Sequence, residues 1–259
     1  MSGARNMSVD EALLASVQQG LAAVTLRFYR WEPATVSLGY FQDAGEVDRD
    51  AIARLGLGLV RRPTGGRAIL HDDELTYSIV IPAEALPGGR SVGRSYLAIS
   101  RGLLAGLEIL GLEARVGKSR ASRSALSPGC FALSTRADLT AAGQKVIGSA
   151  QVRRSGTILQ HGSIPLALDR SRHEAVFGAR EAAAVLSSGG GVADLLGHRP
   201  SWEQMTEAFA GGFADTFGVE VEPGELTDEE RERATDLERT KYGTEEFTLT
   251  TPQGSRGSG

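Results

Sequence analysis

Cys130 is the one cysteine of this chain, and it stands in the stretch SPGCF directly after Pro128 and Gly129. Proline and glycine form turns, so this thiol is presented on a loop rather than packed as the small hydrophobe a buried cysteine usually is. A presented thiol is a usable nucleophile when nearby positive charge favours the thiolate. Lys145, in GQKVIGSAQ, is a second residue that could carry chemistry. It precedes the small residues Gly148, Ser149 and Ala150 in an apolar strand. Aimed inward, it sets a cation against a substrate carbonyl; aimed outward, it is an ordinary lysine of an amphipathic strand, and the pattern leaves both open. His161, in LQHGSIPL before Gly162, is either a base for Cys130 or a core histidine bonded to backbone.

A third stretch is RRPTGGRAILHDDELTYS, residues 61–78. Gly65 and Gly66 let the backbone come close to a ligand, and Arg62 and Arg67 beside them can hold anionic or carbonyl oxygens. The alternative is a tight β-turn with exposed arginines. The GK[ST] ending of a nucleotide-binding P-loop is missing. His71, Asp72 and Asp73 read as a surface cluster in a turn, and no metal is expected.

Composition sets the frame. A chain of 259 residues with 41% hydrophobic residues can build a real core. A net charge of −4 gives no global basis for nucleic-acid binding. The region from Glu113 to Gln160 departs from that average. It carries eight basic residues (Arg115, Lys118, Arg120, Arg123, Arg136, Lys145, Arg153 and Arg154) against two acidic ones, Glu113 and Asp138. A basic surface around the thiol steers an acidic partner to it; a solvated basic face is the plainer alternative. One cysteine forms no internal disulfide, and no apolar run reaches the ~18 residues of a membrane span. The chain is expected to be cytoplasmic, without membrane or nucleic-acid partners, and monomeric.

The elements that must position these residues follow from pattern. Ser8 and Glu11 suggest a capping box for a first helix from about 9 to 22. VTLRFYRW and ATVSLGY, broken by Pro33, read as neighbouring strands, then VDRDAIARLG as a short helix. LVRRP, RAIL and ELTYSIVIP read as strands. SYLAISRGLLAGLEILG is a long helix with Leu97, Leu103, Leu104, Leu107 and Leu110 on one side, and EARV an edge strand. QKVIGSAQVRR and GTILQHGSIPL form a hairpin turning at Ser155-Gly156. Ser201 and Gln204 cap a helix with Met205, Phe209, Phe213 and Phe217 inward. LTDEERERATDLERTKY reads as a solvated, peripheral acidic helix. Strands before and after the long helix, without βαβ alternation, predict an α+β domain with a mixed, mostly antiparallel sheet flanked by helices.

Together the three chemistry-bearing stretches resemble the biotin/lipoate protein ligase and lipoyl-transferase superfamily. RRPTGGRAILHDDELTYS is similar to its substrate-pocket signature and GQKVIGSAQVRRSGTILQHGSI to its lysine strand and following hairpin. PGCF, fifteen residues before Lys145, resembles the nucleophile loop of the cysteine-dependent branch, the octanoyltransferases of the LipM type. The resemblance implies a biotin/lipoate ligase-like catalytic domain over 8–220, an acidic helical appendage over 221–247 and a disordered tail over 248–259. It implies that an octanoyl group passes from acyl carrier protein to Cys130, and then to a lysine of a lipoyl domain such as that of the glycine cleavage H protein. Lys145 would depress the Cys130 pKa and orient the acyl carbonyl. Arg62, Gly65, Gly66, Arg67, His71, Gly148, Ser149, His161 and Gly162 would line the acyl pocket. No cofactor is needed for that reaction.

The ATP-dependent ligases of the same superfamily usually carry a third glycine where this chain has Arg67. A ligase using ATP and magnesium is therefore the second reading. An amidotransferase between lipoyl domains and an acyl-carrier-binding protein without activity are the others.

Overall fold

The computed structural model describes residues 1–117 and 138–252. Cys130, and the basic residues Lys118, Arg120, Arg123 and Arg136, lie outside the described residues, as does most of the C-terminal tail.

Among the described residues, two sheets carry the fold. The larger has six strands in the order β1-β5-β9-β8-β7-β6, every neighbouring pair antiparallel. Its strands are β1 (Thr25–Tyr29), β5 (Glu74–Pro82), β6 (Ala114–Val116), β7 (Leu139–Ala141), β8 (Gln144–Arg154) and β9 (Thr157–Pro165). The smaller sheet has β2 (Thr35–Leu38) at its centre, parallel to β3 (Gly58–Arg61) and antiparallel to β4 (Ile69–His71). The mixed, mostly antiparallel expectation holds, divided between two sheets. β1 and β2 are accordingly not neighbours, because the chain changes sheet between them, across Pro33.

Strand alternation gives the large sheet two unlike faces. Leu75, Tyr77, Ile79 and Ile81 of β5, with Ile158 and Ile164 of β9, form one core with Leu103 and Leu107 of α3 (Val92–Ile109) and Phe209 and Phe213 of α7 (Trp202–Phe217). The intervening residues, Glu74, Thr76 and Ser78 on β5 and His161 and Ser163 on β9, are all buried on the other face. α1 (Gly3–Gln18) covers part of that face, packing Val9, Leu13 and Val17 against Val80 and Leu159. The hairpin between β8 and β9 turns at Ser155 and Gly156, both at positive φ, as expected. Leu97 departs from its expected inward side and is 48% exposed.

α1 begins earlier than its sequence suggests. Ser2 is the N-cap, accepting from the Arg5 N–H at 3.1 Å. Ser8 lies mid-helix, its hydroxyl bonded back to the Ala4 carbonyl at 2.8 Å, while Glu11 is drawn into tertiary ion pairs. The extra turn lets Asn6 reach the Arg30 carbonyl at 2.9 Å, a long-range contact that a local capping pattern does not encode. Helices α4 (Arg170–Phe177), α5 (Ala179–Ser188) and α6 (Val192–Leu196) close the end of the molecule near β4, and α2 (Arg49–Arg54) flanks the small sheet.

The acidic helix α8 (Asp228–Leu237) is not peripheral. Its capping box at Thr227 and Glu230 is present, and Ala234 is fully buried in the core shared with α1. Among the described residues, no helix is long and apolar enough to cross a membrane.

Candidate active site

The polar face of the large sheet and the end of the small sheet enclose a cleft. Arg62, His71, Gly148, His161 and Gly162 line it, with Trp31, Ser37, Ile69, Thr76, Ala150 and Ser163. Five of the residues singled out in sequence thus share one wall system, although they come from three strands and the loop after β3.

Each wall is built from buried hydrogen bonds. Arg62 donates through Nη1 to the Ser37 carbonyl at 3.0 Å, and through Nη2 to the carbonyls of Gly65 and Arg67, both at 2.8 Å. The guanidinium therefore closes the glycine loop on itself. The Gly66 carbonyl crosses Gly39 so closely that a Cβ on Gly39 would overlap it, and Gly66 itself has φ +95°. Arg67 turns away, pairing with Glu46 at 3.2 Å through a half-exposed side chain.

Two histidines stand inside. His71 stacks on Trp31 with ring centroids 4.1 Å apart. Its Nε2 lies 2.8 Å from Ser37 Oγ and its Nδ1 2.8 Å from Glu74 Oε1. Glu74 also accepts from Thr76 and Ser163. His161 lies 2.6 Å from Thr64 Oγ1 and 3.3 Å from Asp10 Oδ2. Burial lowers the His161 pKa below its ordinary value, with the hydrogen bond and charge of Asp10 opposing. Burial works to raise the Asp10 carboxyl, but the Arg27 charge and the hydrogen bonds of His161 and Ser78 outweigh it and hold the group below its usual range. Arg27 sits 2.7 Å away and Tyr29 donates at 3.0 Å. The pair is thus a carboxylate and a neutral imidazole: Nδ1–H donates to Asp10, and Nε2 accepts from Thr64.

The His71-Asp72-Asp73 run disperses. His71 points inward, Asp72 pairs with Arg172 at 2.7 Å, and Asp73 pairs with Arg199 at 2.7 Å. Ser149 belongs to the opposite face, 2.7 Å from the Tyr77 hydroxyl, and does not line the cleft. Gly162 is needed where it is: a Cβ there would sit 2.5 Å from the Tyr77 ring and 2.6 Å from the Gly148 carbonyl.

Lys145 takes the inward alternative. It is 4% exposed, and its Nζ lies 3.0 Å from the buried Asp138 carboxylate. Its carbonyl accepts from Gly190 at 2.9 Å. It stands three residues along β8 from Gly148, roughly 10 Å of strand. The local basic excess is partly consumed in such pairs, since Arg154 bonds Glu11 at 3.0 Å and Arg153 clamps Ser95 at 2.6 Å. Of the four described basic residues in that region, only Arg115 is exposed.

Sequence reading missed Asp10, Thr64, Glu74 and Trp31. The polar alternation Glu74, Thr76, Ser78 within an otherwise apolar strand was the available sign of a lined cleft.

Residues 2–214 match the family model of the lipoyl protein ligase A/B catalytic domain. The chain belongs to that family. It is 44% identical to the octanoyltransferase LipM of Symbiobacterium thermophilum, over 95% of this chain and 94% of that protein. The octanoyltransferase LipM of Brevibacillus brevis is 41% identical, over 96% and 95%. Among solved structures, lipoate-protein ligase A bound with ATP superposes with a TM-score of 0.82 at 28% identity, covering 96% of this chain and 94% of that one. The bi-partite lipoate protein ligase of Thermoplasma acidophilum, solved in a study with its E2 lipoyl domain, gives 0.81 at 27% identity, covering 98% and 94%. The lipoate ligase-like fold expected from the motifs is the fold of this family member.

Proposed function

We propose that this chain is an octanoyltransferase of protein lipoylation, working through a thioester on Cys130. The observation that carries the reading is the likeness to the LipM octanoyltransferases over nearly the whole chain, 44% identity across 95% of it. The donor is octanoyl-acyl carrier protein. The Cys130 thiolate attacks the acyl carbon, the carrier thiolate leaves, and a thioester replaces a thioester at nearly constant free energy. The lysine amine of a lipoyl domain, such as that of the glycine cleavage H protein, then attacks the enzyme thioester. Cys130 leaves as thiolate, the amine nitrogen gives up its proton, and the amide formed makes this step downhill. Splitting the transfer lets two carrier proteins dock in turn.

In this scheme the cleft formed by Arg62, His71, Gly148, His161 and Gly162 receives the acyl chain, with Gly65 and Gly66 shaping its rim. Lys145 supplies the fixed cation that favours the thiolate and faces the developing oxyanion. Its ammonium is held by Asp138 at 3.0 Å, so its direction is set before substrate arrives.

Likeness to an ATP-bound lipoate-protein ligase A, with a TM-score of 0.82, favours adenylation as the second reading. Intact mass after incubation with octanoyl-carrier protein, without ATP, separates the two. An octanoyl adduct on Cys130 is expected. Adduct-free protein that modifies a lipoyl domain only with ATP and lipoate would establish the ligase instead.

A further inference from the structure

The chain beyond α7 lies outside the 2–214 match, yet it reaches the scaffold of the cleft from behind. After α8 come a π-helical turn (Glu238–Tyr242) and α9 (Glu245–Leu249). Tyr242 is 1% exposed; its hydroxyl donates to the Glu11 carboxylate, and its ring meets that of Phe247 edge-on at 5.3 Å. Lys241 Nζ lies 2.9 and 2.7 Å from the two oxygens of the same carboxylate. Glu11 adjoins Asp10, the partner of His161.

Arg61 is the second anchor. It is fully buried, and Nε donates to the Phe247 carbonyl at 3.1 Å. Nη1 donates to the carbonyls of Gly39 at 2.8 Å, Tyr40 at 3.0 Å and Gln42 at 2.7 Å. One guanidinium thus joins the C-terminal segment to the 39–42 turn. That turn in turn carries the glycine loop: the Tyr40 N–H donates to the Thr64 carbonyl at 2.8 Å, and the Gly66 carbonyl crosses Gly39.

We propose that residues 238–249 are a brace for the cleft, and that Arg61 is the positioning residue through which the brace fixes Thr64 and Gly66. Arg61 touches no substrate; it acts through backbone carbonyls. A planar fork can bridge Phe247 and the turn at once, whereas the ammonium of lysine donates from a single point. Arg61→Lys therefore keeps the charge and breaks the bridge.

The test is hydrogen exchange on the full-length protein, which needs no substrate. In Arg61→Lys, amides of the 39–42 turn and the 62–67 loop should exchange about tenfold faster through local opening, with α3 and α7 unchanged. Unaltered exchange in the loop overturns the proposal. If Arg61→Lys does not fold, Phe247→Ala takes its place: it keeps the carbonyl but removes the ring packed on Tyr242, so it loosens the brace itself, with the same loop readout and the same overturning result. The activity arm rests on the transferase reading. There, Arg61→Lys should raise the KM for octanoyl-carrier protein about tenfold with kcat nearly unchanged, as loss of uniform binding does. Alkylation of Cys130 by iodoacetamide should be as fast as in the unaltered protein. Unaltered protein that takes no octanoyl group would sink the transferase reading, and loop exchange would then decide the brace alone.

Discussion

The imidazole of His161 accepts a hydrogen bond from the Thr64 hydroxyl at 2.6 Å, tying β9 of the large sheet to the glycine loop of the small one. Asp10, from α1, completes the chain on the other side of the ring. Three elements far apart in sequence thus meet at one neutral histidine.

Acid should therefore loosen the molecule in two stages. Burial lowers the pKa of His161 and likewise that of His173, so the unfolded chain binds these protons first. Their contribution is complete above the unfolded value of about 6.5 and is lost as pH falls below it toward the folded values. Asp10 is held low by Arg27, His161 and Ser78 despite its burial, and Glu11 by Lys241, Tyr242 and Arg154 despite its own. Their contribution persists above the ordinary carboxylate range and is lost below it. Thermal melts across pH 8 to 3 should show a first decline beginning near pH 6.5 and a steeper one below about 4.5. A flat Tm between pH 7 and 5 would refute the neutral assignment of His161.

Lys145 and Asp138 offer a cycle that separates structure from chemistry. Lys145→Met leaves the Asp138 charge buried without its 3.0 Å partner, and should cost about 3 kcal/mol or more. Adding Asp138→Asn should recover part of that loss, because the buried negative charge is gone. Octanoyl transfer in the double variant should remain as low as in the single one. Recovery of transfer together with Tm would make Lys145 a structural residue only.

Gly162→Ala should be harmful well beyond the size of a methyl group. The new Cβ would press on the Tyr77 ring at 2.5 Å and the Gly148 carbonyl at 2.6 Å, and both belong to central strands. A loss of about 1–3 kcal/mol is expected from overpacking. Denaturant titration checks it; stability within 0.5 kcal/mol of the parent, the usual range for a surface change, would show that β8 and β9 can part without cost.

Thr64→Val removes the hydroxyl and keeps the shape. The Nε2 of His161 then has no donor from the loop, and a loss of about 1–2 kcal/mol follows from the buried acceptor. Thr64→Ser should restore most of it. Equal melting temperatures for the valine and serine variants would contradict the bond.

Much of this architecture was legible in sequence where the signal was local. The β8–β9 hairpin, with Ser155 and Gly156 at positive φ, and the capping box at Ser201 and Gln204 were both readable from neighbouring residues. Arg62, His71, Gly148, His161 and Gly162 were found as a set through motif resemblance, and the fold brings them to one cleft. Contacts of long range were not legible. Asp10 is 17 residues from Arg27 and 151 from His161, so it reads in sequence as one acid in a helix. The same holds for α8: its polar composition hides one small residue, Ala234, fully buried against α1. The inward aim of Lys145 was undecidable, because a strand one residue out of phase would point it outward.

The two faces of β5 divide the protein's tolerance to change. Leu75, Tyr77, Ile79 and Ile81 answer to the helices behind them, whereas Thr76 lines the cleft and Ser78 answers to the Asp10 carboxylate. Varying Thr76 would reshape the cleft wall while leaving the large core untouched, whereas Val80, on the same face, is buried against α1 and tolerates no such change. A library that varies the odd-numbered positions of this strand would return mostly unfolded protein. Cleft shape and core packing thus meet in one nine-residue strand, divided by alternation up to Thr76 and joined again at Val80.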